Sequence, residues 1–406
     1  MPETFTYKVR DQSGGVVTGQ LEADDPALVA GKLRGMGYTP ITIQKQNQAS
    51  FSKDLKIPGF SNRVKLKEVA VFSRQFSTMI NSGLSLLRAL TILAEQTENP
   101  ELRRVANQVR IDVEKGSSLS AAMAREPKAF SRLYVAMVRS GEIGGTLDEV
   151  LLRLSDTIEK QVELRRKVKS AMTYPTVVAV MVLLIASAML IFIVPMFKDM
   201  YAQLGGTLPL PTRVLLSISG FAKSFWWIIG GFGVGAFFGI RYWSNTTEGR
   251  KKYDAIKLRI PVMGGLVRKT ALARFSRTLS ALVRSGVPIL ESLEIVADTS
   301  GNYVVSVAAR DTQRAVKLGD TISRPLQQHD VFPPMVVQMI AVGEETGALD
   351  EMLEKIADFY DQEVEATVDA LTSLIEPLLM VFMGIVVGGM IISLYLPMFN
   401  IIKLIK

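Results

Sequence analysis

GEIGGTLDEVL, residues 141–151, returns as GEETGALDEML at residues 343–353, with seven of the eleven positions identical. The repeat extends upstream. FSRQFSTMINSGLSLLRALTILAEQTEN, from Phe72, aligns with FSRTLSALVRSGVPILESLEIVADTSGN, from Phe275, at eleven of twenty-eight positions that include Phe72/Phe275, Arg74/Arg277 and Gly83/Gly286. The offset is 203 there and 202 at the glycine motif, so one residue is gained or lost between them. Downstream, the 202 offset pairs Pro175 of TYPTVV with Pro377 of IEPLLM, and Pro195 of VPMF with Pro397 of LPMF. The duplicated unit is a soluble part followed by an apolar part.

The apolar parts, 175–197 and 377–402, carry no charge and exceed the ~20 residues that cross the hydrocarbon core as a helix. Between them lies FWWIIGGFGVGAFFGI (225–240), flanked by Lys223 and Arg241, with all three tryptophans of the chain at its ends. Symmetry asks for this third span, because two homologous soluble units belong on one side of a membrane. The basic flanks RRKVK (165–169) and RYWSNTTEGRKK (241–252) place that side in the cytoplasm, and 198–222 with the C-terminus outside. The two lysines of the KLIK tail run against the rule. Gly231, Gly235 and Gly239, and Gly384 and Gly388, fall at the spacing that favours close helix packing and a homo-oligomer.

The soluble parts read as helices. Val69, Phe72, Phe76, Met79 and Ile80 recur on one face, Pro100 opens a helix and Gly116 closes one. In the motif, Gly141, Gly144 and Gly145 are expected to reverse the chain, with Gly343 and Gly347 their counterparts. Thr146 and Glu149 fit a capping box, lost in the second copy where Ala348 replaces the threonine. Glu142 and Glu344 read as capping or solvated acids, or as contacts to a partner or a cation. The helix after the motif runs about 25 residues, a stalk of nearly 40 Å, to a kink or restart at Pro175 or Pro377. Residues 1–44 read as strand, strand, helix, strand, with Phe5, Tyr7 and Val9 on one face of the first strand.

The expected architecture is a mostly α membrane protein: two homologous cytoplasmic helical bundles, three transmembrane helices and a small N-terminal ββαβ module. Its boundaries are the module at 1–44, a linker at 45–64, the first bundle at 65–172, spans at 173–197, 223–243 and 375–402, an external loop at 198–222, a linker at 244–267 and the second bundle at 268–374.

Composition narrows the chemistry. The chain has 406 residues, 48 % of them hydrophobic, and its mean hydropathy is +0.24. The formal charge of +8 suits membrane lipid, and nucleic acid is not expected as a partner. Without cysteine and with the single His329 in a loop, no metal site or catalytic triad is expected. MPETFTYKVR shows no basic stretch followed by an apolar run, so no cleavable signal is expected there and residues 1–60 are expected in the cytoplasm; no P-loop occurs, since AGK at 30–32 lacks the earlier glycine. No enzyme activity and no cofactor are expected, and the spans hold no ionisable residue of the kind transporters keep.

KVKSAMTYPTVVAVMVLLIASAMLIFIVP, from Lys167 to Pro195, resembles the signature of the type II secretion F / type IV pilus PilC inner-membrane proteins. Lys167, Tyr174, Pro175 and Pro195 match it in place, and the duplicated unit, its G-E-x-x-G-x-L-D motif and three spans also match. In the second copy Glu376 replaces the tyrosine, so the signature is single. The resemblance implies a platform in the cytoplasmic membrane on which pilin or pseudopilin subunits are assembled. It implies further partners: a cytoplasmic hexameric ATPase and other inner-membrane assembly proteins. Residues 72–99 and LPLPTR (208–213) look closer to the pilus members than to the secretion members. A membrane receptor or scaffold without a filament is the alternative from another class.

Overall fold

The computed structural model describes residues 3–10, 16–23, 25–45, 64–193, 195–196, 210–261 and 263–404. Met1–Arg63 and Val64–Lys406 form separate units.

The first unit is the expected ββαβ module. Strands β1 (Glu3–Arg10), β2 (Val16–Ala23) and β3 (Thr39–Lys45) make one antiparallel sheet in the order β2-β1-β3, with helix α1 (Pro26–Gly35) between β2 and β3. Val9 of β1 is buried against Val29 and Leu33 of α1, with Tyr7 and Leu21 at the margin. The period of two in β1 and the one-sided helix produce this small core. The Phe5 side chain is outside the described residues.

In the second unit the helices α2 (Leu66–Asn81), α3 (Leu86–Gln96), α4 (Pro100–Glu114), α5 (Leu119–Ala124), α6 (Arg132–Gly144) and α7 (Leu147–Ala171) form the first copy. After α8 (Thr173–Ala188) and a π-helical turn (Met189–Ile193) come α9 (Leu210–Asn245) and α10 (Thr247–Arg259). The second copy repeats the order with α11 (Met263–Arg284), α12 (Ile289–Thr299), α13 (Tyr303–Lys317), α14 (Ser323–Gln327), α15 (Pro334–Thr346) and α16 (Leu349–Leu404).

Both copies share one apolar core. Val69, Phe72 and Phe76 of α2 are buried, as the periodicity requires, and Phe72 meets Phe130 at a ring separation of 5.8 Å. In the second copy Phe275 meets Phe332 at 4.9 Å. The Phe130/Phe332 offset is 202, whereas Leu119 and Ile322 sit at 203. The lost residue therefore lies in the loop after the short helix α14, where a deletion leaves the packed helices in register.

Several boundaries differ from the sequence reading. Residues 210–222, expected as part of an external loop, are the first turns of α9, with Pro211 in the first turn, where a missing N–H costs nothing. Residues 198–209 of that loop are outside the described residues. The expected linker 244–267 contains α10, which Thr246 caps by accepting from the Gly249 N–H at 3.2 Å, and the start of α11. The expected restart at Pro377 does not occur, because α16 continues through it for 56 residues. In the first copy the helix does change at Met172, and Pro175 stands in the first turn of α8. Two stretches among the described residues, Leu147–Ile193 and Leu349–Ser393, are long and apolar enough to cross a membrane.

Candidate interaction site at the duplicated turns

The question raised by the twice-written motif is answered at its glutamate. Glu142, on the last turn of α6, reaches back to the N-terminus of α5. Its Oε2 accepts from the Ser120 N–H at 3.0 Å, and its Oε1 accepts from the Leu119 N–H. Glu344 does the same in the second copy, accepting from Ile322 N–H at 2.5 Å and Ser323 N–H at 2.9 Å. A helix start leaves N–H groups without partners, and a carboxylate is the strongest acceptor available to them. Ser118 and Thr321 complete each cap by accepting from Ala121 and Arg324 at 3.3 and 3.4 Å. The acid is thus a capping group, but for a helix some twenty residues upstream.

The glycines divide the work differently from the sequence reading. Only Gly145 and Gly347 are left-handed, with φ of +70° and +74°, and each closes the helix before the stalk. Gly141 and Gly343 are helical and serve close approach. A Cβ on Gly141 would stand 3.1 Å from Leu147 Cα and 3.1 Å from Val150 Cβ, and one on Gly343 would stand 2.9 Å from Leu349 Cα. Gly144 needs no such exemption, since its counterpart is Thr346. The expected capping box is absent. Thr146 makes no side-chain cap bond, and Glu149 pairs instead with Arg153 at 3.0 Å. The stalk begins without a side-chain cap in the copy that has the threonine, as it must where Ala348 replaces it.

A second duplicated contact fixes each stalk to its bundle. Arg74 of α2 holds Glu159 through two bonds of 2.6 and 2.7 Å and also reaches Asp156. Arg277 of α11 holds Asp361 at 3.0 Å and Asp358 at 3.5 Å, and is itself almost buried. The forked guanidinium suits this bidentate geometry. The Arg74 hydrogen bond holds the Glu159 carboxyl below the usual carboxylate range. Sequence reading singled out both arginines but missed their acids, although these recur at the same 202 offset.

The copies also bind each other. Arg132 pairs with Glu294 at 2.8 Å and with Asp298, Arg139 with Glu291, and the Ser140 hydroxyl donates to the Ser285 carbonyl at 2.5 Å. Along the stalks Lys160 meets Asp358 at 3.1 Å and, two turns on, Lys167 meets Glu365 at 2.9 Å. Leu164, Val168 and Ala171 pack with Val364, Val368 and Leu371 between them. Seven-residue spacing of this kind keeps two helices side by side.

Of the remaining sequence candidates, Tyr174 is exposed, Pro175 buried, Pro195 half-buried just past the π-helical turn and Pro377 exposed. The Pro397 side chain is outside the described residues. None of these prolines is brought to the turns. His329 lies in a loop, 3.3 Å from Asp311. Among the described residues no group of three or more His, Asp or Glu is placed to hold a metal ion.

The middle helix is tied to both apolar helices. The Thr212 hydroxyl donates to the Ser393 carbonyl at 2.6 Å, and the Ser219 hydroxyl to the Leu190 carbonyl at 2.5 Å. The second acceptor lies in the π-helical turn, where backbone carbonyls are freed from the regular ladder. The glycine stripes do not take part. Among the described residues, a Cβ on Gly231, Gly235, Gly239, Gly384 or Gly388 would meet nothing within 4 Å.

Comparison with known proteins finds the same duplication. The profile of type II secretion system protein F matches residues 72–195 and 275–397, and that of its N-terminal domain matches 1–44. The two matches begin and end at the residues that anchor the internal repeat. The chain is 45 % identical to a type IV pilus assembly protein PilC from Thermus thermophilus, covering 98 % of each chain. It is 42 % identical to the protein of that name from Myxococcus xanthus, over 98 % of this chain and 94 % of the other. It is 32 % identical to a type II secretion system protein F from Pseudomonas aeruginosa, over 99 % of each.

Proposed function

The chain belongs to the type II secretion system protein F family, and on that premise we propose that it is a membrane platform on which a type IV pilus is assembled. The observation that carries the reading is continuity. In the second copy the bundle's last helix and the apolar helix are one helix, α16, so displacement of the bundle displaces the apolar segment. The capped turns at Glu142 and Glu344 hold the start of each stalk. A force applied to the bundles by a cytoplasmic hexameric ATPase would pass through these turns to pilins beside the apolar helices. Other inner-membrane assembly proteins complete the machine.

The pilus reading is supported by the higher identity to relatives named for pilus assembly than to those named for secretion. Driving a pseudopilus for protein secretion is the second reading, supported by the family to which the chain belongs. Deletion of the gene separates them. Loss of surface filaments with secretion intact supports the first, and loss of secretion with filaments intact refutes it.

In this reading α9 is a third span. Its 36 residues rise ~54 Å, and its two hydroxyl bonds to the neighbouring apolar helices replace water that a bilayer lacks. The module 1–44 and both bundles then face the cytoplasm. Cysteines introduced at Gln203 and Asp311 test this with an impermeant reagent. Gln203 should label from outside and Asp311 should not; labelling of both, or of Asp311 alone, overturns the topology.

A further inference from the structure

A cleft of ≈ 410 Å³ opens where the end of α7 faces α11 and the loop Ser300–Asn302. Its walls are mainly apolar, with Val168, Met172 and Leu266 among them, and Arg165, Lys169 and Arg274 stand around it. Among the described residues no Asp or Glu lines it. None of these three cations has an ion-pair or hydrogen-bond partner among the described residues, unlike Arg277 beside them, which Asp361 holds. Arg274 is half-buried, and its guanidinium lies against Gly301. Burial, and then the charge of Arg165, push it below its ordinary value. A partly buried cation with no counter-charge is unfavourable unless an anion arrives.

The cleft departs from the duplication. In the other copy Arg165, Lys169 and Arg274 are replaced by Thr367, Leu371 and Val71, and Gly301, left-handed at φ +74°, is replaced by Glu98. The repeat therefore does not account for the three cations or for the glycine that makes room for one of them. Their level is also defined. Lys169 and Arg165 precede the first residue of α8, Thr173, by four and eight residues, a rise of ~6 and ~12 Å. A headgroup layer is about 5–8 Å deep beside the hydrocarbon core, so Lys169 falls within it and Arg165 just beyond its outer edge.

We propose that this cleft binds an anionic diacyl lipid, its phosphate held by Arg274, Arg165 and Lys169 and an acyl chain laid against Val168, Met172 and Leu266. Apolar walls joined to a cationic mouth fit an amphiphile better than a free inorganic anion, which would leave those walls wet. A lipid seated there bridges the stalk of one copy to the first helix of the other. The proposal rests on the membrane reading above, but its test does not depend on topology.

Native mass spectrometry of the full chain in detergent, titrated with phosphatidylglycerol, phosphatidylcholine or inorganic phosphate, tests it. Phosphatidylglycerol should bind about tenfold more tightly than phosphatidylcholine. Arg274→Gln should lose about that factor, and so should the exposed pair Arg165→Gln with Lys169→Gln, which cannot disturb the core. Lys251→Gln with Lys252→Gln, on α10 and outside the cleft, should bind as the parent does. Equal binding of the two lipids overturns the proposal, as does unchanged binding in the cleft variants. Equal loss in the α10 variant would show a diffuse basic surface instead. Inorganic phosphate that binds as well and displaces the lipid would show a small-anion site.

Discussion

Replacing Glu142 by Gln isolates the capping contact. The amide keeps the size and one acceptor oxygen but turns an NH₂ group toward the other N–H. One of the Leu119 and Ser120 donors then loses its partner, and both residues are buried. A buried donor left unsatisfied costs about 1–3 kcal/mol, and a lost N-cap about 1 kcal/mol, so about 2 kcal/mol is expected. Glu344→Gln should cost about the same, and because the two caps share no partner the effects should add to about 4 kcal/mol. Both copies contribute to one core, so the unfolding unit is large and each kcal/mol moves the midpoint by about 2 °C. Far-UV circular dichroism of the full chain in detergent should show Tm lowered by about 4 °C in each single variant and about 8 °C in the double. Hydrogen exchange should quicken at 119–120 and 322–323 before anywhere else. Glu345→Gln, exposed and next in sequence, is the control. A shift below about 1 °C in the double variant, or a shift in the control equal to that at Glu344, would refute the capping role.

Gly145→Val places a β-branched residue at φ +70°, and should destabilise the first copy by about 1–3 kcal/mol and abolish filament assembly while the chain still inserts; normal filaments would remove this turn from force transmission. Gly141→Ala pushes a methyl group against the first turn of α7 and should cost about 1–3 kcal/mol by thermal unfolding. The pH dependence follows from Glu159. Its folded value lies below the unfolded one, so its stabilisation is full above the unfolded value of about 4.3 and is lost as pH falls through the folded value. Arg74→Gln should therefore flatten the acid limb of a Tm-against-pH curve below that point, and an unchanged limb would assign it to other carboxylates. Gly231→Leu with Gly235→Leu should weaken a homo-oligomer in light scattering, because that face meets nothing among the described residues of its own chain; an unchanged mass would show that the stripe faces lipid.

Much of the fold could be read because it was written twice. Phe72 and Phe275 recur with their neighbours on a helical period, and an amphipathic face must be buried wherever it occurs. The ββαβ module was legible from Val9 and its alternation, and the stalk from the 25-residue run after Thr146. What stayed hidden depends on groups that meet only through space. Nothing local to Glu142 names Leu119 as its partner, though the serine and threonine ahead of α5 and α14 mark helix starts in need of caps. Thr146 satisfied the letter of a capping box, but Glu149 is taken by Arg153, one turn on. Helix α10 was missed because RYWSNTTEGRKK was read only as the basic flank of the middle span. The signal was Thr246, followed by a glutamate near the helix start and basic residues toward its end.

The contrast between α16 and the α7–α8 pair has a mechanical consequence. A single helix of 56 residues is a shaft about 84 Å long, and torque applied at Leu349 reaches Ser393 without an intervening joint. The first copy has its joint at Met172, where one helix ends and another begins at Thr173. Met172 itself keeps φ −82° and ψ −6°, so the break is one residue long, whereas α16 has none. The unbroken shaft and the broken one come from copies that differ at several positions around a shared proline: Met172 stands against Leu374, Thr173 against Ile375 and Tyr174 against Glu376, while Pro175 matches Pro377.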